Sequence, residues 1–200
     1  MKKIYITILL VCVLNPSTAQ IVINEIMSNN ESCIFDFEGD YTDWIELYNN
    51  SNETINLNNY SLSDDAKSLY KWKLPDINIE KNNTLLIFAS GKNLINKSEI
   101  HSNFKLSSSG ESLYLSNASG VLIDSVQPVH LGEDNSYGRL PDGSPNLTHL
   151  EFFSPNASNN NTSQLVFSNS SGFYNQPFKL AISSLLNDTI YYSIDGSLPD

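Results

Sequence analysis

The sequence predicts an all-β protein. Only 16% of its 200 residues are charged and 10% are aromatic, and Asn and Ser are frequent, a composition that favours strands and turns over helices. Short apolar stretches recur between turns that contain Asn, Ser or Gly, and several of them alternate apolar with polar residues, the pattern of a half-buried strand. At about 100–200 residues per domain, the chain has room for one complete β domain and part of a second.

Residues 1–19 are predicted to be a secretory signal peptide and not part of the fold. Two lysines come first, an apolar run covers 4–14, and 17–19 form a small-residue cleavage site. The run is shorter than the ~20 residues of a spanning helix. No later stretch is more apolar, so the mature chain is expected to lack a transmembrane segment. A lipoprotein anchor on Cys12 is disfavoured, because no small residue precedes it.

The central strand is predicted in the sequence DYTDWIELYN, at 40–49. Ile45 and Leu47 fall on one face, and Trp44 and Glu46 fall on the other, so the strand is expected to be half-buried. The Asn-rich run that follows is typical of a turn.

One strand is predicted before the central one, at 21–26, directly after the cleavage site. The intervening polar and acidic loop, from 28 to 40, also carries Ile34, Phe35 and Phe37. Because loops presented by a β scaffold commonly carry function, this loop is expected to be the first variable loop of the domain.

Three strands are predicted after the central one. Residues 55–62 show the spacing of an edge strand. Residues 72–74 are expected to end at Pro75, which cannot donate a hydrogen bond to a sheet. Residues 85–88 are continuously apolar, as expected of a strand buried on both faces.

A hairpin is predicted next, because alternating residues at 104–106 and 113–115 flank a Gly-containing connection. A second turn at 117–120 leads to the last long strand, at 121–126. A turn-rich return follows at 136–143.

Six segments in collinear order resemble the lamin-tail domain, an immunoglobulin-like β-sandwich found in nuclear lamins and in many secreted bacterial proteins. They are INEIM (23–27), DYTDWIELYN (40–49), LNNYSLSDD (57–65), YKWKLP (70–75), NFKLSSSGESLYLSNASG (103–120) and SYGRLPDGS (136–144). The resemblance covers about 21–159 and implies an immunoglobulin-like sandwich, with the return at 136–143 packed across its end. The family's closing motif corresponds to 154–159, where Asn156 stands in place of Gly.

The resulting division of the chain places the sandwich domain at 20–155, a linker of small polar residues at 156–163 and a partial second β-sandwich module at 164–200. The second module resembles the start of the C-terminal sandwich of chitobiases and β-hexosaminidases, through stretches within 165–183 and 189–200. Only about half of such a module is present.

No catalytic residue and no cofactor site is predicted. Cys33 is the only cysteine of the mature chain, and it is expected to be an inert, partly buried residue. His101, His130 and His149 lack metal ligands at suitable spacing and are expected on the surface or in turns. The sequence contains neither a Gly-x-Ser-x-Gly motif nor a phosphate-binding loop.

Acidic residues are the strongest remaining candidates for a site. Glu25, Asp43, Glu46 and Asp64 occupy motif positions of the lamin-tail resemblance. Structural roles are favoured for them: Asp43 would cap a turn, and Glu46 would pair with Lys71 or Lys73. Calcium binding by Asp36, Glu38 and Asp40 is a minority hypothesis, so no metal site is assigned.

The charge of the chain limits its partners. The net charge is −11, and removal of the two signal lysines leaves nine basic and 22 acidic residues, a net charge of −13. Nucleic acid is therefore not expected as a partner. An unidentified protein or glycan at the cell surface is expected instead, and Trp44, Trp72, Tyr41 and Tyr70 could stack on sugar rings, although the two tryptophans are expected in the core.

The predicted function is a non-catalytic interaction or attachment module of an exported bacterial protein, either secreted or held at the cell surface. The alternative is the accessory N-terminal region of a larger secreted enzyme, a hydrolase or a spore-coat-type kinase, acting near carbohydrate. Fold alone does not decide between them.

Overall fold

The computed structural model describes residues 19–96, 98–150, 152–160, 165–169, 172–184 and 190–194. The predicted signal peptide, apart from Ala19, lies outside the described residues, as do 161–163 of the predicted linker. Within the described residues no helix is long and apolar enough to span a membrane.

Regular structure in the described residues consists of thirteen strands and one 3₁₀ helix. The strands are β1 (Ile21–Met27), β2 (Trp44–Asn49), β3 (Ile55–Asn56), β4 (Tyr60–Ser63), β5 (Trp72–Lys73), β6 (Asn78–Ile79), β7 (Thr84–Phe88), β8 (Leu113–Asn117), β9 (Leu122–Val126), β10 (Tyr137–Arg139), β11 (Leu147–His149), β12 (Leu165–Phe167) and β13 (Ile182–Ser184). The helix, Leu57–Asn59, is capped by the Asn56 side chain, which accepts a hydrogen bond from the Asn58 N–H. The all-β prediction is confirmed.

Two antiparallel sheets form the sandwich, and β3 and β6 pair as a separate two-stranded sheet. One has the strand order β11-β10-β1-β2-β7, and the other has the order β5-β4-β8-β9. Apolar side chains of both sheets, such as Ile23 and Leu47 from the first and Leu62 and Leu115 from the second, belong to one buried cluster. The architecture is therefore a β-sandwich whose core lies between the sheets.

The central strand is confirmed in position, since β2 lies between β1 and β7. It is not half-buried, however, because its outer face is covered too. Trp44 packs with Met27 and Phe88 in a second apolar cluster, and Glu46 is fully buried. Periodicity alone cannot reveal a covering layer that comes from distant parts of the chain.

Two predictions are wrong: the burial of 85–88 on both sides and the edge position of 55–62. β7 is the edge of its sheet, and Leu85 and Leu86 are only partly buried, so this apolar run is not enclosed on both sides. β4, predicted as part of an edge strand, lies between β5 and β8. Side-chain periodicity does not report whether a strand lies at the edge or in the interior of a sheet, or what covers its second face.

The predicted hairpin between 104–106 and 113–115 is also wrong. β8 pairs with β4 and β9, whereas Lys105 bridges to Ser90. The turn between 117 and 120 is present as predicted, with Gly120 at a φ of +74° that favours glycine. Turn chemistry is local and can be read from sequence, but the choice of a pairing strand depends on the whole sheet.

The closing segment 154–160 lies against the five-stranded sheet. Asn156 takes a φ of +60°, a left-handed conformation that Asn tolerates, at the position where the lamin-tail resemblance has Gly. Asn159 is buried, and its side chain donates to the carbonyl of Arg139. The domain division at residue 155 stays a prediction. β12 and β13 pair in the stretch predicted as a second module, whose resemblance to chitobiases also stays a prediction.

Candidate binding surface

Two acidic motif residues hold the closing segment in place. Glu25 and Glu46 are cross-strand partners on β1 and β2, and both are fully buried. Glu25 accepts hydrogen bonds from the N–H and hydroxyl of Ser154, and Glu46 accepts from the Asn24 amide and the Asn156 N–H. The expected pairing of Glu46 with Lys71 or Lys73 is wrong, because those lysines flank or belong to β5 in the opposite sheet.

Burial sets the protonation of this carboxyl pair. Loss of solvation raises the pKa of Glu46 to about 8, with Glu25 and Asp142 adding like-charge repulsion against the hydrogen bond from Asn24. Burial likewise raises the pKa of Glu25. Glu46 therefore holds its proton at neutral pH, and its role on this face is to bind the closing segment.

A second group of acidic residues, Asp36, Glu38 and Asp40, surrounds a lysine. Their carboxylate oxygens lie within 4.8 Å of one another, and Lys92 Nζ contacts them at 2.5, 2.6 and 2.9 Å. Although burial alone raises the pKa of Asp36, the hydrogen bonds from Lys92 and from backbone N–H groups outweigh it and lower that pKa. A calcium ion at the centre of this cluster would have to displace the Lys92 ammonium.

The loop that carries this cluster is fixed at its base by Asn30. The buried Asn30 side chain donates to the carbonyls of Ile34 and Thr42 at 2.7 Å and accepts from the Cys33 N–H. The Asn30 N–H donates in turn to Asp43 Oδ1 at 3.2 Å. Asn30 and Lys92 therefore give the loop a defined shape at both its base and its tip.

Three large aromatic side chains project from this fixed loop, which we call the aromatic loop (residues 34–41). Phe35, Phe37 and Tyr41 are 62%, 54% and 48% exposed. Phe35 and Tyr41 meet edge to face at 5.9 Å, and Lys92 Nζ lies 5.8 Å from the Phe37 ring. Clustered exposed aromatics on a rigid support are typical of an interaction surface.

A groove of about 490 Å³ lies beside the aromatic loop, along the outer side of β7. Apolar side chains of Ile34, Phe35, Leu86, Phe88 and Ile100 line one part of it, and polar residues such as Asn96, Glu99 and Asn156 line the rest. We call it the β7 groove. Together the loop and the groove form a continuous surface that joins apolar contact area to the edge of a sheet.

The sugar-stacking hypothesis loses two of its four residues. Trp44 and Trp72 are 0% and 4% exposed, as the core interpretation predicted, so neither can stack on a ligand. Tyr70 is exposed, and its hydroxyl donates to the carbonyl of Ala118 at 3.3 Å. Only Tyr41 remains next to other candidate contact residues.

Three residues distant from any motif form a polar chain that sequence reasoning missed. Ser90 Oγ lies 2.9 Å from His101 Nδ1, and His101 Nε2 lies 3.0 Å from Glu99 Oε2. The expectation that His101 is on the surface is wrong, because it is fully buried and stacks on Phe88 at 5.2 Å. His130 and His149 are exposed as predicted.

This chain of hydrogen bonds resembles a serine–histidine–carboxylate relay in composition, but its setting indicates a structural role. Ser90 is only 5% exposed, and its oxygen accepts the Lys92 N–H at 3.2 Å. These hydrogen bonds connect the end of β7 to residues 99–101, where His101 forms a parallel β-bridge with Phe88. Cys33 is equally unsuited to nucleophilic attack, since burial, aided by its hydrogen bond with Asp134, raises the pKa of its thiol to about 12.

Comparison with known proteins agrees with the sandwich. The sequence profile of the family described as Lamin Tail Domain matches residues 15–130, more than half of the chain. No curated protein matches the chain. The matched range includes the aromatic loop, the four-stranded sheet and β1, β2 and β7 of the five-stranded sheet. It ends before β10, β11 and the closing segment.

Proposed function

The chain belongs to the lamin tail domain family, and from this premise we propose that its sandwich is a protein-interaction module of an exported bacterial protein. Domains of this family are immunoglobulin-like and non-catalytic, and they generally serve interaction. In this chain the module would attach the protein at the cell surface, or position neighbouring domains, through the aromatic loop and the β7 groove.

The observation that carries the proposal is the exposure of Phe35, Phe37 and Tyr41 on a loop that two sets of hydrogen bonds hold in shape. A flexible loop would lose conformational entropy when a partner orders it. A loop that is already fixed presents its aromatic rings with little further loss of entropy on binding. The sequence pattern of residues 1–19 supports export. An unidentified surface protein is the favoured partner.

Site-specific photo-crosslinking tests the surface. p-Benzoylphenylalanine replaces Phe35 in one variant and Val121, which is 55% exposed on the connection to β9, in the matched control. Irradiation of producing cells is expected to give discrete adducts from position 35 and not from position 121. Equal adduct patterns, or none from position 35, would contradict the proposal. Intact mass of the exported chain should place its N-terminus at Gln20.

A fluorophosphonate probe tests the non-catalytic part of the proposal. Ser90 is the hydroxyl that such a reagent would modify if the polar chain through His101 activated it. We expect no labelling of the folded protein. Labelling that disappears in Ser90→Ala, but persists in Ser108→Ala, would establish a nucleophile and refute the proposal.

A further inference from the structure

We propose that the open edge of β7 accepts an extended peptide as an additional strand, and that the peptide is apolar on one face and carries a basic residue. This inference rests on the proposed interaction function and specifies the kind of partner. It depends on three features: the unpaired backbone of β7, the apolar wall beside it and the acidic character of the chain.

Hydrogen bonding along β7 shows which backbone groups are free. Residues 83 and 89 bond to β2 and its extension, through Asn49 N–H to Asn83 O and Ala89 N–H to Asp43 O. Because the pattern alternates in an antiparallel pair, 85 and 87 also face β2, and Thr84 and Leu86 face away from it. Phe88 faces away too, and its N–H and C=O are taken by residues 100 and 102.

No described residue takes the outward groups of Thr84 and Leu86. These two residues offer two N–H donors and two C=O acceptors. Residues 100–102 already occupy the neighbouring strand position beside Phe88, and an added peptide would occupy the same strand position beside Thr84 and Leu86. Main-chain pairing of this kind is an established way for sheet edges to bind peptides.

The two edges of the opposite sheet, β5 and β9, show protection that β7 lacks. β5 is two residues long and is followed closely by Pro75, and β9 pairs across a register shift at Leu115 and Ser116. β7 has the sequence TLLIF, pairs with β2 without a shift and carries no Lys, Pro or bulge. Natural sheets use such features to prevent edge pairing, so their absence here favours a binding role for this edge.

The residues beside the β7 edge indicate which kind of peptide would bind there. Leu86, Phe88 and Ile100 line the groove next to the free backbone, so one face of the peptide should be apolar. Glu99 is the one ionisable residue among the lining residues described, and its Oε2 is already shared by His101 Nε2 and the Phe37 N–H. The charge argument therefore rests on the whole chain, which carries 22 acidic against 11 basic residues. A peptide with lysine beside the paired segment therefore complements the groove better than an acidic one.

The test uses the exported chain and the synthetic probe Lys-Val-Thr-Val-Thr-Val-Lys, followed by amide NMR and fluorescence anisotropy. We expect saturable binding, with the largest amide shifts at Thr84 and Leu86. Methylation of alternate peptide nitrogens should weaken binding by about tenfold or more, since backbone hydrogen bonds are lost. Replacement of both lysines by glutamate should weaken it as well. These comparisons need no protein variant and cannot be confused with misfolding.

Matched protein variants locate the site. Leu86→Asn on β7 should reduce binding, and Leu122→Asn, at a residue 47% exposed on β9, should not; thermal unfolding verifies that both fold. Binding weaker than about 1 mM, equal binding of the methylated or glutamate probe, or equal effects of the two variants would overturn the proposal. A protein dimer that Leu86→Asn abolishes would also overturn it, by assigning the edge to a second copy. Position-35 crosslinks that persist after such failures would leave the proposed function standing.

Discussion

The substitution Glu46→Gln tests how the buried carboxyl pair couples stability to pH. An unfolded glutamate titrates near 4.5, and burial moves the pKa of Glu46 to about 8 in the folded protein. Between these values the folded state holds a proton that the unfolded state has released. The stabilising contribution is therefore fully present below pH 4.5 and is lost as the pH rises through about 8.

The size of the pH effect follows from the one proton that Glu46 holds in the folded state and releases on unfolding. Stability should fall by about 1.4 kcal/mol per pH unit within this window, or roughly 3 kcal/mol between about pH 5.5 and 7.5. Glu25, whose pKa is also raised, adds to the same slope. Glu46→Gln removes the ionisation. It also places the glutamine NH₂ against one of the two donors, the Asn24 amide or the Asn156 N–H, which should cost about 1–3 kcal/mol of stability at every pH.

Urea unfolding at several pH values, followed by the fluorescence of the buried Trp44 and Trp72, measures both effects. The variant should be less stable than the parent at pH 5.5 and should match or exceed it at pH 8.5. Glu53→Gln, at an exposed glutamate, is the control and should run parallel to the parent. Parent stability that is flat or rises with pH, or a Glu46→Gln curve parallel to the parent curve, would refute the reasoning.

Three further perturbations follow from the same contacts. Lys92→Met leaves the buried Asp36 carboxylate without its cation and should lower stability by about 3 kcal/mol in urea unfolding. Lys71→Met, at a more exposed ion pair, should lower it by less than about 1 kcal/mol. Similar losses of stability in the two variants would contradict the argument from burial. Cys33 should resist iodoacetamide at pH 8 until urea unfolds the chain, because its pKa is about 12, and rapid alkylation of the native state would disprove this. Trp72→Ala should destabilise the domain by about 3–5 kcal/mol, and an unchanged melting temperature would remove this residue from the core.

Much of the sandwich could be predicted from the sequence because its signals are local. The alternation around Ile45 and Leu47 places β2, the Asn and Gly residues at 117–120 place a turn, and collinear segments indicate the family. The aromatic loop was also visible, as Phe35 and Phe37 in a polar stretch, although nothing in the sequence indicated that Lys92 would hold it.

What the sequence could not decide is pairing and burial between distant segments. The sequence predicts an edge position for β4 and burial on both sides for β7, and the structure contradicts both. It also predicts a hairpin for β8 and a lysine partner for Glu46, whereas β8 pairs with β4 and β9, and Glu46 accepts from the Asn156 N–H. Each of these outcomes depends on which segments pack together, and those segments are distant in the chain, by 110 residues for Glu46 and Asn156. Side-chain periodicity reports which face of a strand is apolar, but hydrogen bonding to an edge and desolvation of a carboxyl arise only when the tertiary structure brings the covering groups into contact.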